Sequence, residues 1–352
     1  MMMKPFRKNL AIAIDGGGIR GVIVAKALML LEQELGYPLH AQIGLAAGTS
    51  TGSIIAAGLV SGLEAKTLFQ LYLELGEKIF PRSLRTVVWP LFNHRYRRQP
   101  LEKALRQYFG NLSVGDLWKA DPRKNIVVTT FDIIENRIRF IKPYKSKYKA
   151  WPLVKALLAS AAAPTYFPSI DGRFIDGGVS SYNNPSYLAA YEIVFNLKWR
   201  PEETTLISLG TGRDPNTIKR GQVDRFLPIQ YIHPLLGAFS RSADDQQVDL
   251  VNKLFKKLDF RRFQVDLKTV IELDDTSQTV ELIRYGEQLG QTMLGNQEDR
   301  AMRIKPDLIP KRAIQQAATT KSTSRRQTSK SGSLRSSQPR KPAKSARARR
   351  KR

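Results

Sequence analysis

Two short runs near the start of the chain combine reactive side chains with glycine. The first is Asp15-Gly16-Gly17-Gly18-Ile19-Arg20-Gly21, the second Gly48-Thr49-Ser50-Thr51-Gly52. In the second, glycines two residues either side of Ser50 let the backbone turn without a Cβ clash. Such a turn lifts a serine Oγ above the carboxyl end of a sheet, at the start of the next helix. A serine in an ordinary glycine-rich loop is the plainer reading, since both residues are common in turns. In the first run, successive backbone N–H groups at a helix N-terminus can cradle an oxyanion as well as a phosphate. Arg20 can add a fixed charge there or brace the loop.

These runs need a strand before them and a helix after. Leu10-Ala11-Ile12-Ala13-Ile14 and Ile43-Gly44-Leu45-Ala46-Ala47 read as buried strands. Ser53-Ile54-Ile55-Ala56-Ala57-Gly58-Leu59-Val60 reads as a helix packed closely on a sheet. The first run also fits G-x-G-x-x-G, the fingerprint of a dinucleotide site. That site wants an acidic residue about 20 positions on, at a strand end. Glu32 and Glu34 lie near there but inside the expected helix, and Asp15 would face the pyrophosphate. The context therefore favours the oxyanion reading.

A nucleophilic serine needs a base. The chain has three histidines, His40, His94 and His233, none with a glycine frame or a neighbouring carboxylate. Only His233 lies far enough downstream to complete a triad in the order Ser, Asp, His. Asp176, in Phe174-Ile175-Asp176-Gly177-Gly178, offers a carboxylate at the end of a short apolar strand. Asp-Gly is also a hairpin signal, so a plain turn aspartate stands beside that reading.

Taken together these residues resemble the patatin-like phospholipases. Asp15 to Gly21 resembles the family's D-G-G-G-x-R-G motif, Gly48 to Gly52 its G-x-S-x-G elbow, and Asp176-Gly177-Gly178 its D-G-[GA] motif. Ala159 to Pro168 resembles its A-S-x-A-x-P-x-x-F-P segment, and Ile207 to Gly212 its S-L-G-T-G turn. The resemblance spans roughly Lys8 to Gly295, and the tail after Pro306 lies outside the family pattern. It implies a Ser50–Asp176 dyad, an oxyanion hole from Gly16, Gly17, Gly18 and Arg20, and an acyl-serine intermediate. Gly48, Gly52, Gly177 and Gly178 would be framing glycines. It implies membrane phospholipid or another glycerolipid as substrate. No cofactor and no metal are expected. The sequence has no C-x-x-C, no H-E-x-x-H and no EF-hand spacing. A soluble-ester esterase with the same dyad is the near alternative.

The expected fold is α/β: a single three-layer α/β/α domain over 8–295 with a mainly parallel central sheet, a linker over 296–310 and a disordered basic tail over 311–352. Helices are expected at Arg20–Leu35, Thr51–Ser61, Glu64–Phe80, Leu101–Phe109, Trp151–Ala161, Pro185–Phe195, His233–Leu258 and Thr279–Leu294. Strands are expected near Leu10–Ile14, Gly44–Ala47, Asn125–Phe131, Arg137–Ile141, Arg173–Ile175, Leu206–Leu209 and Arg262–Asp266.

The chain is 352 residues long with 42% apolar content, enough for a sizeable core. Cysteine is absent, which excludes disulfides and thiolate chemistry and suits a cytoplasmic protein. No run approaches 18 apolar residues, and the N-terminus lacks a signal-like segment. The formal net charge is +26. Fifteen Lys and Arg fall in 311–352 with no Asp or Glu, leaving +11 on the rest. Such a tail suits an anionic membrane surface, at roughly 1 kcal/mol per basic residue. Nucleic acid is a second possible partner, through the tail alone, and a polyanion-binding protein is the function of a different class. Phe80 to Arg98 mixes aromatics with five arginines and two prolines. It suits a loop resting at a membrane interface or one covering the core. The expectation is a cytoplasmic protein, peripheral at the membrane.

Overall fold

The computed structural model describes residues 3–81, 94–215, 221, 222, 224 and 228–299, without the side chains of residues 75, 77 and 228–240. The described residues form one compact unit. Seven strands make one sheet: β1 (Asn9–Ile14), β2 (Ile43–Gly48), β3 (Asn125–Asp132), β4 (Arg137–Ile141), β5 (Phe174–Asp176), β6 (Thr204–Leu209) and β7 (Asp259–Phe263). The order is β4-β3-β2-β1-β6-β7, with β5 added on β3. The run from β3 to β7 through the centre is parallel; β4 and β5 run antiparallel to β3. The mainly parallel α/β sheet expected from the sequence is the observed one.

The main helices are α1 (Gly21–Leu35), α2 (Thr51–Val60), α3 (Ala65–Ile79), α4 (Gln99–Phe109), α5 (Leu153–Ser160), α6 (Ser186–Tyr191), α7 (Pro228–Leu254) and α8 (Thr279–Leu294). They cover both faces, as a parallel sheet requires. The period-2 alternation of β1 divides the core. Leu10, Ile12 and Ile14 join the larger cluster with α1, α2 and α3, while Ala11 and Ala13 join the smaller one with α6. The alanines leave room for α6 to lie close.

Most elements lie where the sequence placed them. The last strand is shifted: Arg262–Asp266 was expected, but β7 runs Asp259–Phe263. Asp259, Arg261 and Arg262 have the composition of a surface run, yet all three are buried. They pair inside the protein, so the strand carries no apolar pattern. The register of β3 positions the site. β2 pairs with β3 along 125–128, and β5 takes over the same edge at 130–132. β5 therefore runs head-on toward the end of β2, and Asp176 arrives where Ser50 begins.

Candidate active site

Ser50 follows β2 after Thr49 and caps α2 with φ 52° and ψ −125°. A non-glycine residue rarely holds such a backbone, and the cost is of order 1–3 kcal/mol. Close packing enforces it. A Cβ on Gly48 would lie 2.3 Å from the Gly52 carbonyl oxygen, and one on Gly52 2.3 Å from the Ile14 carbonyl oxygen. The Ser50 N–H donates to Ser160 Oγ at 2.9 Å, and Ser53 Oγ donates to the Ser50 carbonyl at 2.6 Å. The Ala159–Pro168 segment thus touches the elbow through Ser160.

The Ser50 hydroxyl donates to Asp176 Oδ2 at 2.6 Å. The other carboxylate oxygen accepts the Gly178 N–H at 2.7 Å. Asp176 is buried, with no cation among these contacts. Burial pushes its pKa up to about 6, against the pull of the Ser50 and Gly178 hydrogen bonds. Gly177 leaves the space taken by Thr129, where a Cβ would meet Thr129 Oγ1 at 2.1 Å.

The glycine-rich loop passes on the other side of the serine. A Cβ on Gly16 would stand 3.3 Å from Ser50 Cβ. The Gly16 N–H donates to the Asn183 carbonyl at 3.1 Å, and Thr211 Oγ1 donates to the Gly16 carbonyl at 2.6 Å. Gly18 has φ +57°, and a Cβ there would collide with the Leu273 carbonyl oxygen at 2.4 Å. Among the described residues, neither the Gly17 nor the Gly18 amide has a hydrogen-bond acceptor. Arg20 donates to both carboxylate oxygens of Asp214 at 3.0 Å, the bracing arrangement.

Sequence reasoning missed the groups behind this loop. Asp15 is buried and takes a bidentate ion pair from Arg262, one arm at 2.8 Å. Arg262 also donates to Ser208 Oγ at 2.8 Å. Burial holds the Asp15 carboxyl above its usual range, against the pull of the guanidinium. Asp244 lies near, its pKa pushed up to about 7 by burial and then by the charge of Asp15. It accepts the Asn184 N–H at 3.1 Å and a hydrogen bond from the Asn183 side chain. The one available signal was an arginine pair inside an apolar stretch, Phe260-Arg261-Arg262-Phe263.

His40 lies just before the amino end of β2, while Ser50 follows its carboxyl end. Six strand residues separate the two by roughly 20 Å. His94 is half-buried, and the side chain of His233 lies outside the described residues. Also outside them are 82–93 of the aromatic and basic stretch, and 300–352 with the tail. Among the described residues no group of three or more His, Cys, Asp or Glu could hold a metal ion. No helix among them is long and apolar enough to cross a membrane.

Comparison with known proteins gives the same family as the motifs. The chain is 33% identical over 247 residues to an intracellular phospholipase A2 of Caenorhabditis elegans, covering 65% of this chain and 22% of that protein. It is 29% identical over 294 residues to patatin-like protein 1 of Oryza sativa subsp. indica, covering 68% and 69%. It is 31% identical over 222 residues to a cGAMP-activated phospholipase of Pseudomonas aeruginosa, covering 60% and 64%. The chain thus spans less than two thirds of the length of the worm and bacterial relatives. The family pattern described as patatin-like phospholipase matches residues 12–190, just over half of the chain. That stretch runs from inside β1 through both glycine runs and the Asp-Gly-Gly turn to α6, and on it this chain belongs to the patatin-like phospholipase family.

Proposed function

We propose that this protein is a serine lipid acyl hydrolase acting on glycerolipid esters, phospholipids among them. Ser50 attacks the ester carbonyl and Asp176 takes its proton. The Gly17 and Gly18 amides hold the oxyanion, with Gly16 and Arg20 fixing the loop that presents them. Collapse of the tetrahedral intermediate expels the alcohol, which takes the proton from Asp176, and leaves an acyl-serine. Water, deprotonated by Asp176, then attacks the acyl carbon and frees the fatty acid and Ser50.

The observation that carries this reading is the 2.6 Å hydrogen bond from Ser50 to a buried carboxylate with no cation beside it. A free aspartate is too weak a base for a serine hydroxyl. With its pKa near 6, Asp176 is a stronger base yet still ionised at pH 7. Two amide donors without acceptors among the described residues, in the loop whose Gly16 faces Ser50, suit developing negative charge, where one such donor is worth about 3 kcal/mol in the transition state.

The tail over 311–352 is proposed to hold the enzyme at an anionic membrane from the cytoplasmic side. It supplies fifteen positive charges and no carboxylate to oppose them. The test of the activity is lipid product profiling of the wild type against Ser50→Ala, with fluorophosphonate labelling of the wild type. Free fatty acid release and a label at Ser50 support it. Labelling at another serine, with activity kept in the variant, overturns it.

A further inference from the structure

The β3–β4 turn projects from the end of the sheet that carries Ser50 and Asp176. Thr130 of β3 lies opposite Asp176, and the turn begins three residues further on. Ile133 and Ile134 therefore stand about 10 Å beyond Asp176 along the strand direction. Both are exposed, Ile133 at 50% and Ile134 at 70%. Ile134 is the most exposed large apolar side chain among the described residues. Val179, three residues after Asp176, is exposed as well.

The turn is held firmly from behind. The Ile133 N–H donates to the Arg173 carbonyl at 3.0 Å, and the Glu135 N–H to Asp132 Oδ1 at 3.3 Å. Asp132 is fully buried and receives Arg139 and Arg173. Its carboxyl is held down near 2, first by the Arg173 hydrogen bond, so the network stays ionic at working pH. A buried, doubly paired carboxylate thus fixes a turn whose tip shows two adjacent isoleucines to water. Arg137 stands beside the tip, 61% of its side chain exposed, and pairs with Glu135 at 3.6 Å. Folding does not account for the isoleucines, because neither is buried.

We propose that this turn is a membrane wedge: Ile133 and Ile134 enter the acyl region of a phospholipid bilayer and set Ser50 at the lipid–water boundary. The inference rests on the lipid hydrolase reading, since it places the turn at the mouth of that site. A bilayer fits the shape. The tip is convex and two side chains wide, far below the roughly 800 Å² per partner of a stable protein interface. The charge fits too. The +11 of residues 1–310 favours an anionic headgroup layer around an apolar tip.

The absence of cysteine makes a single-site probe direct. Ile134→Cys would be labelled with an environment-sensitive fluorophore and mixed with vesicles of phosphatidylcholine and phosphatidylglycerol. The control is Phe195→Cys, in the π-helical segment Glu192–Asn196, whose Glu192 pairs with Lys142 past the far end of β4. The Ile134 label should brighten several-fold, shift to the blue and be quenched by lipids spin-labelled on the acyl chain. The Phe195 label should not change. The double variant Ile133→Ser/Ile134→Ser should partition onto these vesicles at least tenfold more weakly. Its vesicle-to-monomeric-ester activity ratio should fall by a similar factor. An unchanged Ile134 label, an equal response at Phe195, a response without vesicles that grows with protein concentration, or unchanged partitioning of the double variant would overturn the wedge. A wild type inactive on every ester would sink the hydrolase reading instead, while leaving the labelling result to stand on its own.

Discussion

Two buried carboxylates flank Ser50, and they have opposite company. Asp15, at the end of β1, is locked by the bidentate Arg262 and backed by Ser208. Asp176, at the end of β5, meets a hydroxyl and one backbone amide. The paired carboxylate has its charge spent on a guanidinium and holds a loop. Burial raises both carboxyls, but Asp15 is held by the guanidinium, whereas Asp176 is opposed only by the hydroxyl and the amide it accepts from. Burial alone does not mark a catalytic acid or base; the partner decides which buried carboxylate can exchange a proton.

The largest effect expected from breaking this contrast is on turnover. Ser50→Ala should remove hydrolysis, and Asp176→Asn should lower kcat by about a thousandfold or more, since a positioned base contributes roughly 10²–10⁴-fold. Steady-state assays on phospholipid vesicles and on a soluble ester check both. Next comes Arg262→Met, which strands Asp15 without a cation. Removing one partner of a buried ion pair costs about 3–5 kcal/mol, so chemical denaturation should give a much lower midpoint. Asp15→Asn/Arg262→Met should recover part of that loss.

At Asp176, which lacks a guanidinium partner, removing the charge should instead stabilise. The folded pKa of Asp176 is about 6, above its ordinary 3.8. Between those values the folded state binds more protons than the unfolded one, so its contribution to stability falls as pH rises through that window. Above pH 6 the ionised form costs up to about 3 kcal/mol, from 1.36 kcal/mol per unit. Asp176→Asn should therefore be more stable than the wild type at pH 7–8, with the gain gone by pH 4. Thermal melts at the two pH values read this directly, and equal melting at pH 8 would count against a destabilising, proton-hungry Asp176.

The glycine-framed half of the site was legible because glycine spacing and one reactive residue at a strand end form a local signal. Ser50, Asp176 and the loop Gly16 to Gly18 come together in that way, although the sequence left a plain turn as the other reading of Asp176. The bracing half was not legible. Arg262, Asn183 and Asp244 act across separations in sequence that no local pattern encodes, and the segment resemblance that flagged Ser160 did not say what it touches. Arg261 and Arg262 also disguised β7, since Arg261 pairs with Asp259 two residues before it on the same strand and Arg262 with the distant Asp15. The strand expected at Arg262–Asp266 was displaced by that disguise.

The smallest effects concern parts remote from the dyad. Deleting Lys311 to Arg352 should leave soluble-ester turnover unchanged and weaken binding to anionic vesicles. The difference should shrink with salt, because exposed charges are screened beyond about 10 Å at 0.1 M. Equal vesicle binding at low salt would remove the tail from the membrane account and leave nucleic acid as its remaining candidate partner.

The pairing of Ser50 with Asp176 is tested most directly by the pH dependence of Ser50 acylation. Stopped-flow burst kinetics with a chromogenic ester would be followed from pH 4.5 to 8.5 in the wild type and in His40→Ala/His94→Ala/His233→Ala. The rate should rise with pH through an apparent pKa near 6 as Asp176 loses its proton, with the same profile in the histidine-free variant. A burst that survives Asp176→Asn, or that vanishes with His233→Ala while the fold is kept, would contradict the dyad.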